Sequence, residues 1–255
     1  MTQERKFQGM TALVTGASRG IGAETAFALA KQGAFTLLHY HTGELQAVTL
    51  LDRIRQAGGD GAQLQADLSS TDGIYRFLEL LKQVGRPIDI LVNNAGSLIQ
   101  RTPFLDLTED LWNRVFMLNL TSAFMISQAV LRGMVERKRG VIVNLSSAAA
   151  RNGGGIGATA YAASKGALSL MTKGMAKEFG PLGIRINAVS PGVIDTDYHR
   201  KFSSAAVLEG VIKSTPLGRL GESDEVADVI VFLCSDAARF IQGQVIEING
   251  GLLMV

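Results

Sequence analysis

Short apolar runs alternate with longer amphipathic stretches along the chain, and this alternation limits the folds open to it. Each short run is rich in Val, Ile and Leu, and apolar residues at helical spacing follow it. Seven runs have the length of strands: Thr11 to Thr15, Phe35 to Tyr40, Gln63 to Ala66, Ile88 to Asn93, Val141 to Leu145, Arg185 to Val189 and Val245 to Ile248. Strands and helices in this order form right-handed βαβ units. We therefore predict an α/β fold, a doubly wound, Rossmann-like, seven-stranded parallel sheet with helices on both faces, in a single domain over residues 1–255.

Three stretches between these strands carry clear helical spacing. The first two predicted apolar helix faces are Leu45, Val48, Leu51 and Ile54, and Ile74, Phe77, Leu78 and Leu81. The third stretch is a long helical region from Leu107 to Arg137. The basic residues Arg137 to Arg139 close that region, where cations complement the helix dipole. We predict a solvated helix end there.

Composition excludes several classes of protein. With 47% hydrophobic and 19% charged residues, the chain has enough apolar surface for a core and too little charge for disorder. The 25 basic and 23 acidic residues are too nearly balanced for a nucleic-acid footprint. Apolar runs such as Val229 to Cys234 are shorter than the roughly 18 residues of a membrane span. With one cysteine, Cys234, and no secretion signal, we predict a cytoplasmic protein with no membrane, nucleic-acid or metal partner.

A glycine-rich turn follows the first strand and opens a helix. It reads Thr15-Gly16-Ala17-Ser18-Arg19-Gly20-Ile21-Gly22. Glycines permit a sharp turn and close backbone approach to a pyrophosphate, and a helix N-terminus supplies free N–H groups and partial positive charge. The spacing G-x-x-x-G-x-G therefore predicts a dinucleotide phosphate site.

The same turn also matches G-x-S-x-G, the nucleophile elbow of α/β hydrolases. In that alternative Ser18 would be the nucleophile, with Asp195 or Asp197 as the acid and His199 as the base. An elbow normally follows several strands rather than the first, which makes a serine hydrolase the weaker interpretation.

Further polar residues follow the later strands, at the edge where parallel sheets bind ligands. Asn93-Asn94-Ala95-Gly96 follows the fourth strand, and Ser146 and Ser147 follow the fifth. Tyr161 and Lys165 are four residues apart, which places them on one helix face. Because a nearby ammonium stabilises a phenolate, this pair predicts a general acid–base at Tyr161.

Together these motifs resemble the short-chain dehydrogenase/reductase family from Met10 to Gly251. The resemblance rests on the glycine turn, Asp67, Asn93 to Gly96, Asn119, Ser147, Tyr161-x-x-x-Lys165 and Ser190 to Thr196 in the family's order. It implies an oxidoreductase that transfers hydride between a nicotinamide and a carbonyl or secondary alcohol. A non-catalytic dinucleotide-binding sensor or scaffold remains an alternative, although it would not need a proton-transfer set.

The resemblance also implies a role for each site residue. Tyr161 would exchange a proton with the substrate oxygen, and Ser147 would hydrogen-bond that oxygen. Lys165 would assist Tyr161 and bind the nicotinamide ribose, while Asn119 would support a water on the proton route. The gap from Ser147 to Tyr161 is 14 residues where many relatives have 13, so Ser146 remains an alternative to Ser147.

The motifs and the resemblance together assign a larger set of residues to cofactor binding. The set is Gly16, Ser18, Arg19, Gly20, Ile21, Gly22, Tyr40, His41, Asp67, Leu68, Asn94, Ala95, Gly96, Tyr161, Lys165, Pro191, Gly192, Ile194 and Thr196. Within it, Asp67 would hold the adenine amino group, although it could instead cap the next helix.

Cofactor choice is predicted from the end of the second strand. An NAD enzyme of this architecture carries an acid about 20 residues beyond the glycines, which binds the ribose hydroxyl and repels a 2′-phosphate. Here the strand ends His39-Tyr40-His41-Thr42, with no acid before Glu44. Arg19 can reach a 2′-phosphate, and His41 adds a second donor. We predict NADP(H) rather than NAD(H).

The sequence constrains the substrate and the oligomeric state less closely than it constrains the cofactor. The loop Ala148 to Ala160 and a lid at about 193–215 would shape the substrate site. The motifs are similar to those of 3-oxoacyl-[acyl-carrier-protein] reductases, but Pro181-Leu182-Gly183 stands where many of those enzymes have Ser-Arg-Gly. A carrier-protein substrate is therefore the alternative to a free carbonyl or alcohol. The apolar segment Leu107 to Arg137 and the tail Leu252 to Val255 predict a homotetramer, which is common in the family.

Overall fold

The computed structural model describes residues 5–197 and 202–255. Its seven strands are β1 (Thr11–Val14), β2 (Phe35–Tyr40), β3 (Asp60–Gln65), β4 (Ile90–Asn93), β5 (Gly140–Leu145), β6 (Ile184–Pro191) and β7 (Val245–Ile248). All neighbours pair in parallel, in the order β3-β2-β1-β4-β5-β6-β7. The predicted doubly wound parallel sheet is confirmed. The strand order reverses between β1 and β4, and ligands of such sheets bind at that crevice.

Helices cover both faces of the sheet. The described residues form α1 (Gly20–Lys31), α2 (Glu44–Gln56), α3 (Thr71–Val84), α4 (Glu109–Phe116), α5 (Ser122–Arg137), α6 (Ala149–Asn152), α7 (Thr159–Phe179), α8 (Ala205–Ser214) and α9 (Ser223–Cys234). On one face α1 and α9 pack together, with Leu29 and Ile230 fully buried. On the other, Phe77 of α3 and Ile126 of α5 are fully buried. The central strands β1 and β4 are buried at every position, as expected for strands covered on both sides.

Two surface expectations were wrong in detail. The helix α2 forms, but Leu45 and Val48 are exposed, and the buried face is Ala47, Leu50, Leu51 and Ile54. The basic end of α5 is also more than a solvated terminus. Arg139 pairs with the buried carboxylate of Asp89 at 3.1 Å, and Arg137 donates to the Ile88 carbonyl at 2.8 Å. A buried carboxylate needs such partners, so this cluster stabilises the start of β4.

The predicted helical region from Leu107 to Arg137 is one continuous helix from Glu109 to Arg137. A π-helical segment, Met117–Thr121, joins α4 to α5. Within the described residues this helix alone is long and apolar enough to cross a membrane, but 44% of its most apolar window is buried inside the fold. Burial of Ile126, Val130 and Met134 against the sheet accounts for its apolar character.

The predicted lid is partly described. Its C-terminal part is α8, which begins at a Ser204 cap whose hydroxyl accepts from the Val207 N–H. His199 lies outside the described residues, so its predicted position as a hydrolase base has no structural counterpart here. The boundaries of the lid and of the single domain stay predictions.

Candidate active site

A cavity of about 1220 Å³ lies along the carboxyl ends of the strands. It runs from the glycine turn after β1 to the loops after β4 and β5 and the start of α8. Of the predicted site residues, all line it except Tyr40 and Asn119. The topology therefore brings the predicted phosphate, adenine and proton-transfer groups to one continuous cavity.

The phosphate end of the cavity is the N-terminus of α1. Arg19 occupies the N-cap in an extended conformation without a side-chain cap, and the first turn carries no acidic residue. These N–H groups therefore face a cavity with no negative side chain of their own helix to neutralise the dipole. A dinucleotide pyrophosphate fits this chemistry.

Asn94 holds the glycine turn in place. Its side-chain amide donates to the carbonyl oxygens of Thr15 at 2.8 Å and Gly16 at 3.0 Å. In return the Thr15 hydroxyl accepts from the N–H groups of Asn94 and Ala95, both at 3.0 Å. This exchange joins the ends of β1 and β4, so Asn94 shapes the cavity wall through the backbone as well as lining it.

The end of β2 differs from the prediction. Tyr40 is buried on the opposite side of the strand and does not line the cavity, whereas His39 and His41 do. Alternation along a strand places residues 39 and 41 on one face and residue 40 on the other. Tyr40 therefore lies apart from the cavity that the other predicted cofactor residues of this strand end line, and its cofactor role stays a prediction.

His39, which the sequence prediction missed, connects the two sides of the cofactor end. Its Nδ1 accepts from the Gly16 N–H at 3.0 Å, so its Nε2 donates to the Ala66 carbonyl at 3.1 Å. Burial, only partly offset by that carbonyl, lowers the pKa of His39 to about 4. The imidazole is therefore neutral at physiological pH and fixes the turn relative to the loop after β3.

Asp67 lines the cavity beyond His39. One of its oxygens accepts from the Ser69 N–H at 2.9 Å and the Ser69 hydroxyl at 2.7 Å, while Ser70 caps α3. Partial burial raises the pKa of Asp67, but the Ser69 hydrogen bonds, with His41 and Arg114 nearby, outweigh burial and lower it. Asp67 thus fixes its own loop without capping the helix, and presents a carboxylate to the cavity.

Arg19, the residue predicted to bind the 2′-phosphate, is half-exposed at the rim of the cavity. Its guanidinium lies 3.8 Å from the Asp197 carboxylate, which belongs to the segment after β6. His41 Nδ1 lies 3.9 Å from Asp67 Oδ1. Arg19 lies in the glycine turn and His41 follows β2, and both have an acidic neighbour with which a bound phosphate would compete.

Lys165 is fully buried at the centre of the cavity wall. Its ammonium donates to the Leu145 carbonyl at 2.6 Å and lies 5.7 Å from the centre of the Tyr161 ring. Burial lowers the pKa of Lys165 to about 7. This arrangement places a buried amine with a lowered pKa beside the Tyr161 ring, as the predicted proton-transfer pair requires.

The two candidate serines have different surroundings. The Ser146 hydroxyl is buried and bonds to the Lys165 carbonyl at 3.2 Å and to the Ser169 hydroxyl at 2.7 Å. The Ser147 hydroxyl accepts from the Ala149 N–H at 3.1 Å, which leaves its own proton to donate elsewhere. This geometry favours Ser147 as the donor to a substrate oxygen.

Asn119 lies in the π-helical segment, behind the cavity wall. Its oxygen accepts from the Ser97 N–H at 3.1 Å, and its amide donates to the carbonyls of Ser97 and Val115, both at 2.8 Å. The side chain therefore fixes the loop after β4. Its predicted support of a proton-carrying water stays a prediction.

The substrate end of the cavity includes residues that the motifs did not indicate. They are mostly apolar and come from the loops after β4 and β5, the segment before α8, α8 itself and the C-terminal tail: Leu98, Ile99, Arg101, Ile156, Phe202, Val207, Leu208, Val211 and Leu252. Most of them lie in the loop Ala148 to Ala160 and the lid at about 193–215, which were predicted to shape this end, whereas Leu98, Ile99 and Arg101 lie in an irregular segment that no spacing rule marks. Their apolar character is the main chemical property of this end of the cavity.

Comparison with known proteins agrees with this site. The adh_short_C2 family model, described as enoyl-(acyl carrier protein) reductase, matches residues 16–253. The chain is 40% identical over 248 residues to the 3-oxoacyl-[acyl-carrier-protein] reductase FabG of Pseudomonas aeruginosa, covering 97% of this chain and 98% of the relative.

Two solved structures show the same fold at similar identity. A 3-oxoacyl-[acyl-carrier protein] reductase with bound NAD from Brucella melitensis has a TM-score of 0.90 and 33% identity, covering 99% of this chain and 94% of that chain. A gluconate 5-dehydrogenase from Burkholderia cenocepacia, in complex with NADP and tartrate, has a TM-score of 0.88 and 34% identity, with coverages of 98% and 97%. With the sheet order, the glycine turn and these matches in agreement, the chain belongs to the short-chain dehydrogenase/reductase family and is an oxidoreductase acting on CH–OH or C=O groups.

Proposed function

We propose that this protein is an NADP(H)-dependent oxidoreductase of a carbonyl or secondary alcohol, with Tyr161 as general acid–base. The observation that carries the proposal is the arrangement of Ser147, Tyr161 and Lys165 along a cavity whose other end is the uncapped N-terminus of α1. A dinucleotide bound across this cavity supplies hydride chemistry at the nicotinamide.

Each side chain of the set has one task. In the reductive direction Tyr161 donates its phenolic proton to the carbonyl oxygen, and Ser147 donates a hydrogen bond to the same oxygen. The Lys165 ammonium stabilises the phenolate left on Tyr161. Asn119 keeps Ser97 and its loop in position behind these groups. In the oxidative direction the same groups act in reverse.

The NADP(H) preference rests on charge at the end of β2. Arg19 in the glycine turn and His41 after β2 both line the cavity, and the residues at the end of the strand provide no acid to repel a 2′-phosphate. Solved relatives carry NAD in one case and NADP in another, so the family allows either. A guanidinium that exchanges Asp197 for a phosphate gains a charge-assisted contact, which favours NADP(H).

A second candidate is reduction of a 3-oxoacyl chain, delivered by a carrier protein. The apolar side chains at the substrate end, Ile99, Ile156 and Val207 among them, suit an acyl chain better than a polyhydroxy acid. The FabG relative supports the same candidate. Against carrier delivery, Pro181-Leu182-Gly183 has no arginine for an acidic carrier.

The non-catalytic alternative is disfavoured by the buried lysine. Holding Lys165 fully buried against one carbonyl costs desolvation energy that a simple dinucleotide sensor has no need to bear. Turnover of any carbonyl compound would exclude it.

For assembly we propose a homotetramer in the cytoplasm. Large apolar side chains are exposed on the α4–α5 side, at α7 and at the C-terminal tail: Phe104, Leu105, Phe124, Leu170, Met254 and Val255. Monomers seldom leave such surface uncovered. Light scattering at micromolar concentration tests the assembly, and a monomeric particle contradicts it.

The experiment that tests the activity is a spectrophotometric screen with NADPH and NADP. The panel contains ketones, 3-oxoacyl esters and thioesters, polyols and sugar acids, and the readout is the reduced nicotinamide absorbance. Turnover by the wild type and not by Tyr161→Phe supports the proposal. Binding of NADPH without turnover of any panel member would instead support the sensor alternative.

A further inference from the structure

Arg101 connects three loops that surround the substrate end of the cavity. It lies in the loop after β4, and its Nη1 donates to the Ile156 carbonyl in the loop after β5 at 2.6 Å. Its Nε donates to the Phe202 carbonyl, just before α8, at 3.1 Å. One side chain therefore fixes the loop Ala148 to Ala160, the substrate loop, and the part of the lid just before α8 to the same point.

The aliphatic part of the Arg101 side chain also occupies the space that a side chain at position 157 would need. Gly157 has a φ of 75°, and a Cβ there would lie 2.8 Å from Arg101 Cγ. Next to it, the Thr102 N–H donates to the Gly157 carbonyl at 3.1 Å. The glycine therefore lets the arginine pass close to the backbone of the substrate loop, and the attachment has three hydrogen bonds.

The chemistry of the side chain suits this role. The planar guanidinium carries donors in a fixed fork that can reach two carbonyls at once, which a single lysine ammonium on a flexible stem does less well. Within the described parts of the chain, no carboxylate pairs with Arg101. Its bonds to loop carbonyls are thus the contacts that orient it.

The loop held by Arg101 carries a strained residue next to the proton-transfer group. Ile99 has a φ of 62°, and the Gln100 N–H donates to the Leu98 carbonyl at 2.7 Å in a tight turn. A β-branched residue adopts this conformation only when its surroundings fix it. The Ile99 side chain packs against the buried cluster of Leu111, Val115 and Ala160, against which Tyr161 also packs. The position of this apolar wall therefore depends on how firmly the loop is anchored.

We propose that Arg101 is a specificity-determining positioning residue: by tying the substrate loop and the lid to the loop after β4, it holds the apolar wall against the substrate. This inference rests on the proposed oxidoreductase function for its kinetic test. Its effect falls on substrates with an apolar body long enough to contact Ile99, Ile156 and Val207. Compact substrates and the cofactor, which bind deeper or at the other end, are unaffected.

The test compares Arg101→Met, which keeps an apolar stem but removes both donors, with Arg101→Lys and the matched control Arg76→Met. Arg76 is exposed on α3 and does not line the cavity. The substrates are ethyl acetoacetate and ethyl 3-oxodecanoate, which share the reacting group and differ in the apolar chain. We expect Arg101→Met to lower the ratio of kcat/KM for the long ester over the compact ester about tenfold, through KM.

The remaining readouts separate positioning from general stability. The dissociation constant for NADPH and the melting temperature should match those of Arg76→Met, and Arg101→Lys should give an intermediate ratio. An unchanged or increased ratio overturns the inference. A fall in the ratio also overturns the inference if Arg101→Met binds NADPH more weakly and melts at a lower temperature than Arg76→Met. Such general losses indicate a merely structural role.

A second measurement does not depend on turnover. Amide hydrogen exchange should become faster in Arg101→Met than in Arg76→Met, both in residues 153–157 and in α8. If the wild type reduces neither ester while exchange responds in this way, the substrate proposal fails and the positioning role stands. If exchange in both segments is unchanged, Arg101 does not hold these loops together.

Discussion

The two ends of the cavity are built in different ways. At the cofactor end, neighbouring strands fix one another through short, buried contacts: Asn94 on the glycine turn, and His39 between Gly16 and Ala66. At the substrate end, irregular loops meet through the exposed Arg101, and the wall is apolar. The rigid end can recognise one ligand class in many relatives, while the loop end can change its substrate without changing the sheet.

The largest effect on activity should come from Tyr161, which lies between the cofactor end and the substrate end of the cavity. Tyr161→Phe removes the only phenolic proton of the set while keeping the ring that packs against Leu111, Val115 and Ala160. We expect kcat to fall by roughly 10² to 10⁴, the usual contribution of one general acid, with the NADPH dissociation constant within twofold of wild type. Steady-state kinetics and fluorescence titration measure the two quantities.

Ser18→Ala is the companion of that variant. The hydrolase alternative requires it to be inactive, whereas in an oxidoreductase it changes only the cofactor end and leaves turnover at saturating NADPH. Wild-type turnover by Tyr161→Phe would contradict the assignment of the proton donor, and complete inactivity of Ser18→Ala at saturating NADPH would contradict a role of Ser18 limited to the cofactor end.

The cofactor end should show the next largest effect. NADPH should bind about 10- to 100-fold more tightly than NADH, because a charge-assisted hydrogen bond contributes roughly 1.5 to 3 kcal/mol. The double variant His41→Asp/Arg19→Ser replaces two cavity-lining donors by one acid and should reverse the preference. Titration of both cofactors against both proteins measures this. Equal affinities in the wild type would rule out the NADP(H) assignment.

The choice of His41 rather than Tyr40 in that variant shows what sequence reasoning captured and what it did not. The seven strands, their order along the chain and the glycine turn follow from periodicity and spacing, and β2 and β7 have the predicted bounds. The side of β2 on which Tyr40 lies was not captured. His39 carries no motif, because its role depends on the loop after β3, which is remote in sequence.

The substrate end was the least predictable for a related reason. Arg101 acts through hydrogen bonds to Ile156 and Phe202, which lie 55 and 101 positions further along the chain. No local pattern encodes such a meeting of loops. In the same way, the exposed side of α2 at Leu45 and Val48 was misassigned because apolar residues at helical spacing fit more than one face.

A smaller effect, on the pH dependence of the free energy of unfolding, should come from Lys165, which lies where the two ends of the cavity meet. Its pKa is about 7 in the folded protein and 10.5 in the unfolded chain. Between these values the unfolded chain holds a proton that the folded protein lacks, so the free energy of unfolding should rise with pH, by up to about 1.4 kcal/mol per unit. The useful window is about pH 7 to 8.5, because above it the buried Cys234, with its raised pKa, has the opposite effect.

Lys165→Met should remove this dependence, and Lys173→Met, on the exposed side of the same helix, should retain it. Urea unfolding of the cofactor-free protein at several pH values measures the slope. A slope that is the same in Lys165→Met and Lys173→Met would show that Lys165 keeps its ordinary charge in the folded protein.

Substitution of Gly22 tests how tightly the cofactor end is packed. A Cβ at Gly22 would collide with the Asn94 amide and the Gly16 carbonyl, so Gly22→Ala must displace the contact that joins β1 to β4. We expect a loss of about 1 to 3 kcal/mol in the free energy of unfolding, together with weaker NADPH binding. Gly174→Ala is the matched control, since a Cβ there meets nothing within 4 Å and its helical position should gain roughly 0.5 to 1 kcal/mol. Because the two substitutions are chemically identical, their opposite signs in urea unfolding would isolate the close approach at Gly22. If Gly22→Ala were as stable as Gly174→Ala, the turn would have room to move, and the contrast between a rigid cofactor end and an adaptable substrate end would be lost.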